Sequence, residues 1–412
     1  MLYLLKNALV FIGGEVKRDN VFVGMALPEA DSGYTAIDAK DCAVFPGFID
    51  VHTHLREPGF EYKETIETGT RAAAAGGFTS IFTMPNLNPV PDSVKNFNVQ
   101  ADLIKKHALI SVHPFASITK GEEGKTLSNI SALSRYAVGF SDDGRGVQDE
   151  NVMLEAMKRA KRAGKIIAAH CEDDRLRAGG CINECSYAKE HGLKGIPNSC
   201  EYAQLERDLF LAQMTGVKFH VCHVSTAESL RLIRQARMRG VDVTCETAPH
   251  YLVFSDKNLK DDGRFKMNPP LRSERDKNAL TEAIADGTID MIATDHAPHS
   301  SEEKSGGLKD SLMGVVGLET SFPVMYTHFI KENIITMDRL LDLMHYNASR
   351  RFGVDASWAL GNATVFNIYE KYTVNPESFF SKGKSTPFEG AELYGKCLMT
   401  ISRGKIVHGS RL

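Results

Sequence analysis

At 412 residues, with 42% apolar and 25% charged side chains, the sequence is that of a folded chain large enough for one big domain and a smaller companion. The formal net charge is −3 and acids and bases are mixed along the chain, which argues against nucleic acid or an anionic membrane as partner. No run approaches the roughly 20 apolar residues that span a bilayer.

The opening "MLYLLKNALVFIGG" is apolar but broken by Lys6 and Asn7, and it lacks a basic leader and a cleavage site. It reads as a first strand rather than a signal peptide, so a cytoplasmic protein is expected. Eight cysteines are scattered along the chain, and Cys222 and Cys245 sit inside apolar strand-like runs. That fits reduced, buried thiols. Cys181, Cys185 and Cys200 could hold a structural zinc, but their spacing is not of the CxxC kind.

From about residue 46 to 350 an apolar run alternates with an amphipathic stretch. The runs are "AVFPGFIDV", "GFTSIFTM", "ALISVHPFASI", "YAVGF", "GKIIAAH", "VKFHVCHV", "VDVTCET" and "IDMIATDH". Asp149 and Thr226 are suited to cap the helices that follow two of them, and Gly164, Gly240 and Gly287 to end helices. Apolar runs without alternation predict strands buried on both faces, hence a parallel sheet. Eight strand–helix units predict an α/β fold, a (β/α)8 TIM-like barrel over residues 46–357. An open doubly wound sheet is the alternative, weakened because no glycine-rich phosphate loop follows a strand. Residues 1–45 and 358–412 carry short β-like segments too small for separate cores. Together they predict one small composite β-sandwich domain built from both chain ends.

Barrel chemistry sits at the C-terminal ends of the strands. The first run ends in His52 and His54, the fourth in Asp142 and Asp143, the fifth in His170, the sixth in His220 and His223, and the eighth in Asp295, His296 and His299. Alternate residues on a strand share a face, so His52 and His54 can aim at one point. Buried, unpaired imidazoles and carboxylates would cost several kcal/mol. A shared metal removes that cost. Zinc suits this donor set, and other divalent transition metals fit it as well. Two ions about 3.5–4 Å apart would use all these donors, acidify a water and polarise a carbonyl, which is hydrolytic machinery. His220, three residues before His223, is expected on the opposite face against a helix. His296 is expected to point away from the metals. His113, His250 and Glu319 receive no role.

The pattern resembles the amidohydrolase superfamily and, within it, the long bacterial (class I) dihydroorotase family. The matching stretches are "DVHTHLREPG", "TMPNLNP", "FSDDGRGVQ", "AAHCED", "HVCHVST", "KMNPPLRS", "ATDHAPHSSEEK" and the tail "SKGKSTPFEGAELYGKCLMTISRGKIV". The resemblance implies reversible closure of N-carbamoyl-L-aspartate to L-dihydroorotate plus water, a step of pyrimidine biosynthesis. It implies two Zn2+ per subunit. His52, His54 and Asp295 would hold one and His170 and His223 the other, with Asp143 and a water or hydroxide as bridges. Many superfamily members bridge with a carboxylated lysine on the fourth strand; here that strand has none, Asp143 is the match and Asp142 the second choice. Asp295 is also implied as the proton carrier. Arg56, Asn86 and His299 are implied contacts of the substrate carboxylate, and Asn268 of the ring amide. A homodimer is expected, and association with aspartate transcarbamoylase is a further expectation. One departure is "GNATVFN", where many relatives carry two acidic positions.

Two other readings remain at this point. Another cyclic amidohydrolase, such as an allantoinase or dihydropyrimidinase, would usually keep the strand-4 lysine. A non-catalytic scaffold would have lost ligands, whereas this chain keeps six.

Overall fold

The computed structural model describes residues 1–13, 15–24 and 33–409. The apolar runs form parallel strands: Phe48–Thr53, Phe78–Thr83, Ser111–Pro114 continued by Ala116–Ser117, Gly139–Ser141, Ile166–Ala169, Lys218–Val221, Val243–Thr247 and Met291–Ile292. Each pairs in parallel with the next. The ring closes where Thr53 bridges His296 and the His54 amide donates to the His296 carbonyl over 2.8 Å. The expected α/β barrel is thus present.

Most of these strands are buried on both faces, Ser111–Pro114 being half-buried, which explains the unbroken apolar runs. Ile49, Val51, Phe82, Phe115, Ile166, Ala168, Cys222 and Met291 pack together in a second apolar cluster. Outside, Phe140, Ile167, Phe219 and Val221 join a core with the helix residues Leu205, Leu209, Leu230 and Ile233. Asp149 caps the helix Glu150–Arg162, accepting from the amides of Asn151 and Val152, and Thr226 caps Ala227–Met238. Gly287 ends the helix Glu274–Asp286 at φ 88°, a left-handed conformation that costs glycine little. All eight cysteines are unpaired, and among the described residues no metal-ligating cluster forms around Cys181, Cys185 and Cys200.

Both chain ends enter one seven-stranded sheet. Its order is Lys405–His408, Glu392–Ser402, Ala363–Thr373, Ala43–Pro46, Tyr3–Ile12 and Glu15–Val23, with Thr35–Asp38 also paired to Tyr3–Ile12. Leu5, Val10, Val44, Val365, Met399 and Ile401 give it a core of its own. The run "AVFPGFIDV" is therefore two strands and not one: Ala43–Pro46 pairs with Ala363–Phe366 in the end sheet, and Phe48–Thr53 enters the barrel. Gly47 makes the crossing. A Cβ there would stand 1.9 Å from Thr79 Oγ1, so only glycine lets the two sheets meet so closely. Among the described residues no helix is long and apolar enough to cross a membrane.

Candidate active site

A cavity of about 520 Å³ opens at the C-terminal mouth of the barrel. His54, Arg56, Asn86, Asp143, His170, His223, Asn268 and Asp295 line it, so eight of the ten residues singled out from the sequence meet on one wall. His52 lies just beneath and is fully buried.

The contacts converge on two carboxylates. His52 Nε2 lies 3.4 Å from Asp143 Oδ1 and 3.4 Å from Asp295 Oδ1. His54 Nε2 is 3.1 Å from Asp295 Oδ1 and 3.5 Å from Asp143 Oδ2. His223 Nε2 is 3.6 Å and His170 Nδ1 3.8 Å from Asp143 Oδ1. His170 Nδ1 and His223 Nε2 face each other at 2.9 Å. Burial would raise the Asp143 carboxyl, but the imidazoles of His52, His223 and His54 overcome it and hold the group well below the usual carboxylate range.

These spacings fit a metal centre. Two ligands held at about 2.1 Å by one tetrahedral ion stand about 3.4 Å apart, while good N–H···O bonds are near 2.9 Å. His52 Nε2 and Asp143 Oδ1 are buried and have no hydrogen-bond partner, a costly state for two polar atoms aimed at one point. Two groups, His52 with Asp143 and His223, and His52 with His54 and Asp295, bring their donor atoms within 4.8 Å. Asp142 does not share in this. Its Oδ1 accepts from the amides of Ile118 at 2.7 Å and Thr119 at 3.1 Å, so it ties the third strand to the fourth.

The backbone re-aims three of these residues just past their strands. His223 has φ 32°, Asp295 φ 46° and Arg56 φ 61°. Non-glycine residues hold such conformations only where the surroundings over-determine them, and they gather at functional sites. This corrects the face expected for His220, while its ring does pack against a helix, 5.5 Å from that of Phe352 in Asn347–Phe352. The strand ends at Val221, so strict alternation does not extend to His223, and both rings turn inward. His220 Nε2 lies 2.9 Å from Glu246 Oε2 and its Nδ1 2.9 Å from Thr244 Oγ1. Glu246 Oε1 in turn accepts from His52 Nδ1 at 2.7 Å. Burial opposes the Glu246 charge, but His52 and His220 hold the group far below its ordinary value.

The substrate-side residues fall into two layers. Arg56 lines the cavity and its Nε donates to the Pro298 carbonyl at 3.2 Å. His299 stands behind Arg56 and off the cavity wall; its Nε2 donates to the Met313 carbonyl at 2.9 Å while Nδ1 accepts from Lys63 at 3.3 Å. Burial, then the cations Arg56 and Lys63, push its pKa down to about 3, so the ring is neutral. Asn86 Nδ2 donates to the Asp143 carbonyl at 2.5 Å, and its Oδ1 is buried without a partner. Asn268 Nδ2 sits 3.4 Å from His170 Nε2, on the side away from His223.

Other lining residues escaped the sequence reading. Arg145, Arg177, Lys266 and Lys309 add positive charge to the wall. Glu172 Oε2 lies 3.7 Å from His170 Nε2. A buried Glu inside the apolar run "VDVTCET" was the available signal for Glu246, since such a carboxylate needs partners. His296 points away from the cluster, toward Glu64 at 3.3 Å. His250 is buried with Nε2 unpartnered, and burial lowers it to about 4. His113, lowered to about 4 by burial, packs 4.9 Å from the Phe82 ring, away from the cluster.

Comparison with known proteins finds relatives over most of the chain. The family described as "Dihydro-orotase-like" matches residues 42–229. A dihydroorotase of Fusobacterium nucleatum is 48% identical over 90% of this chain and 89% of its own length. One of Staphylococcus aureus strain Mu50 is 44% identical over 98% of both chains. Among solved structures, an L-hydantoinase (dihydropyrimidinase) from Arthrobacter aurescens superposes with a TM-score of 0.87 at 24% identity, covering 100% of this chain and 97% of its own; this likeness is one of fold.

Proposed function

Because this chain belongs to the dihydroorotase-like family, we propose that it interconverts N-carbamoyl-L-aspartate and L-dihydroorotate plus water, in the cytoplasm and as a step of pyrimidine biosynthesis. One observation carries the reading: six side chains from five different strand ends converge beside a cavity whose wall presents Arg56.

His52, His54 and Asp295 would hold one divalent cation, His170 and His223 a second, with Asp143 shared by both; the donor set suits zinc. When bound there, the metal would polarise the reacting carbonyl and make water more acidic. The rest falls to the protein. Arg56 presents a planar guanidinium to the substrate carboxylate and, with Asn86, fixes the ring's orientation. His299 acts on that carboxylate through Arg56 and the Met313 wall. Asn268 reaches the ring amide from the His170 side. In ring opening, water adds to the carbonyl carbon, the ring C–N bond breaks, and Asp295 takes the water proton and returns it to the departing nitrogen. Closure reverses these steps and releases the water.

The absence of a strand-4 lysine and the presence of Arg56 and Asn86 on the wall favour this substrate over hydantoin-type rings. The test combines metal analysis with a dihydroorotate-hydrolysis assay on the purified chain. Tightly held zinc with turnover is expected; turnover of hydantoin or dihydrouracil in preference to dihydroorotate would replace the reading. A homodimer is the proposed assembly, and aspartate transcarbamoylase a proposed partner, both readable by light scattering.

A further inference from the structure

The segment after strand Ala363–Thr373 leaves the end sheet, crosses to the barrel mouth and returns at Glu392. At its far point the buried Ser381 hydroxyl donates to Glu64 Oε2 at 2.5 Å, and the Lys382 amide donates to Glu64 Oε1 at 3.2 Å. Glu64 accepts from His296 Nε2 at 3.3 Å, while the Gly317 amide donates to His296 Nδ1 at 3.3 Å, so that ring is held at both nitrogens. Glu319 Oε1 anchors the same turn, accepting from the amides of Phe380 at 2.8 Å and Ser381 at 3.2 Å. The Val316 amide donates to the Ser385 carbonyl at 2.9 Å. Gly383 presses on the eighth-strand loop: a Cβ there would stand 2.6 Å from Pro298 Cβ and 3.2 Å from the His299 amide.

We propose that residues 379–386 form a positioning strap that sets the Asp295–His299 segment, making this distant C-terminal stretch part of the catalytic apparatus. The inference rests on the roles given above to Asp295 and Arg56. Asp295 holds φ 46°, which needs surroundings that over-determine it, and its neighbour His296 is gripped by the strap through Glu64. The Pro298 carbonyl that Gly383 backs is the one accepting from Arg56 Nε. One arm of the strap thus leads to the proton carrier and the other to the anion-binding guanidinium.

The two arms predict different kinetics. Ser381→Ala removes one hydroxyl and keeps the backbone bonds to Glu64 and Glu319. It should lower kcat about tenfold with KM within about twofold, and Ser381→Thr should restore kcat. Gly383→Ala pushes on Pro298 and hence Arg56, and should raise KM about tenfold with kcat within about threefold. A strap that served folding alone would lower the melting temperature and the active fraction of both variants without this split, and that result overturns the inference. Amide hydrogen exchange over residues 293–299 reads the strap without turnover and should quicken in Ser381→Ala. Unchanged exchange with unchanged kinetics also overturns it. A wild type that opens no dihydroorotate ring yet shows the exchange difference removes the proposed function and leaves the strap in place.

Discussion

Glu246 Oε1 accepts a hydrogen bond from His52 Nδ1 over 2.7 Å at the floor of the site. The bond fixes the orientation of the imidazole, so that Nε2 points at Asp143 and Asp295. Partners of this kind behind a metal-binding histidine typically account for about 10–100-fold in metal affinity. Glu246→Gln should therefore weaken zinc binding by about that factor in chelator competition. Wild-type affinity in the variant would mean that the bond serves packing only.

Among the described residues Asp143 alone lies against all four imidazoles of His52, His54, His170 and His223. Asp143→Ala should abolish dihydroorotate hydrolysis and release at least one metal equivalent. Asp142→Asn should keep the metal, because the Asp142 carboxylate is engaged by Ile118 and Thr119. The reverse pattern would exchange their roles.

Arg56 offers a planar fork to a carboxylate, and lysine offers a point charge. Arg56→Lys should raise KM for both N-carbamoyl-L-aspartate and L-dihydroorotate by about 10–100-fold, matching a loss of roughly 1.5–3 kcal/mol. An unchanged KM would place the carboxylate elsewhere in the cavity.

Burial raises the Glu319 carboxyl to about 8. In the unfolded chain it would ionise near 4.3. A raised folded-state pKa gives stability that is complete below the unfolded value and lost as pH climbs to about 8. Glu319→Gln keeps an acceptor for the Phe380 and Ser381 amides and carries no charge. It should melt with the wild type at pH 4 and roughly 2–4 °C above it at pH 8.5. Parallel melting curves across that range would show that Glu319 is not protonated in the fold.

Much of the site was legible because its information is local. Eight apolar runs with polar ends announced buried parallel strands, and imidazoles or carboxylates at five of those ends announced a shared ligand. His52 and His54 could be paired by alternation alone. The division of "AVFPGFIDV" at Gly47 was not legible, because both halves are buried and apolar and only packing against Thr79 separates them. His220 was misplaced because the period-two rule stops where the strand's hydrogen bonds stop, at Val221. His299 was expected at the substrate and stands behind Arg56, an arrangement that depends on Lys63, 236 positions away, as well as on the nearby Glu303 and Met313.

The sequence by itself determined the periodicity, the inventory of donor side chains and the strand end on which each one sits, since these follow from spacing along one backbone. Tertiary structure decided which atoms meet. Left-handed turns at Arg56, His223 and Asp295 re-aim side chains after their strands end. Glu246 finds His52 across 194 positions, and Ser381 finds Glu64 across 317. Such turns persist because surrounding contacts outweigh local preference, and those contacts exist only once the ring has closed.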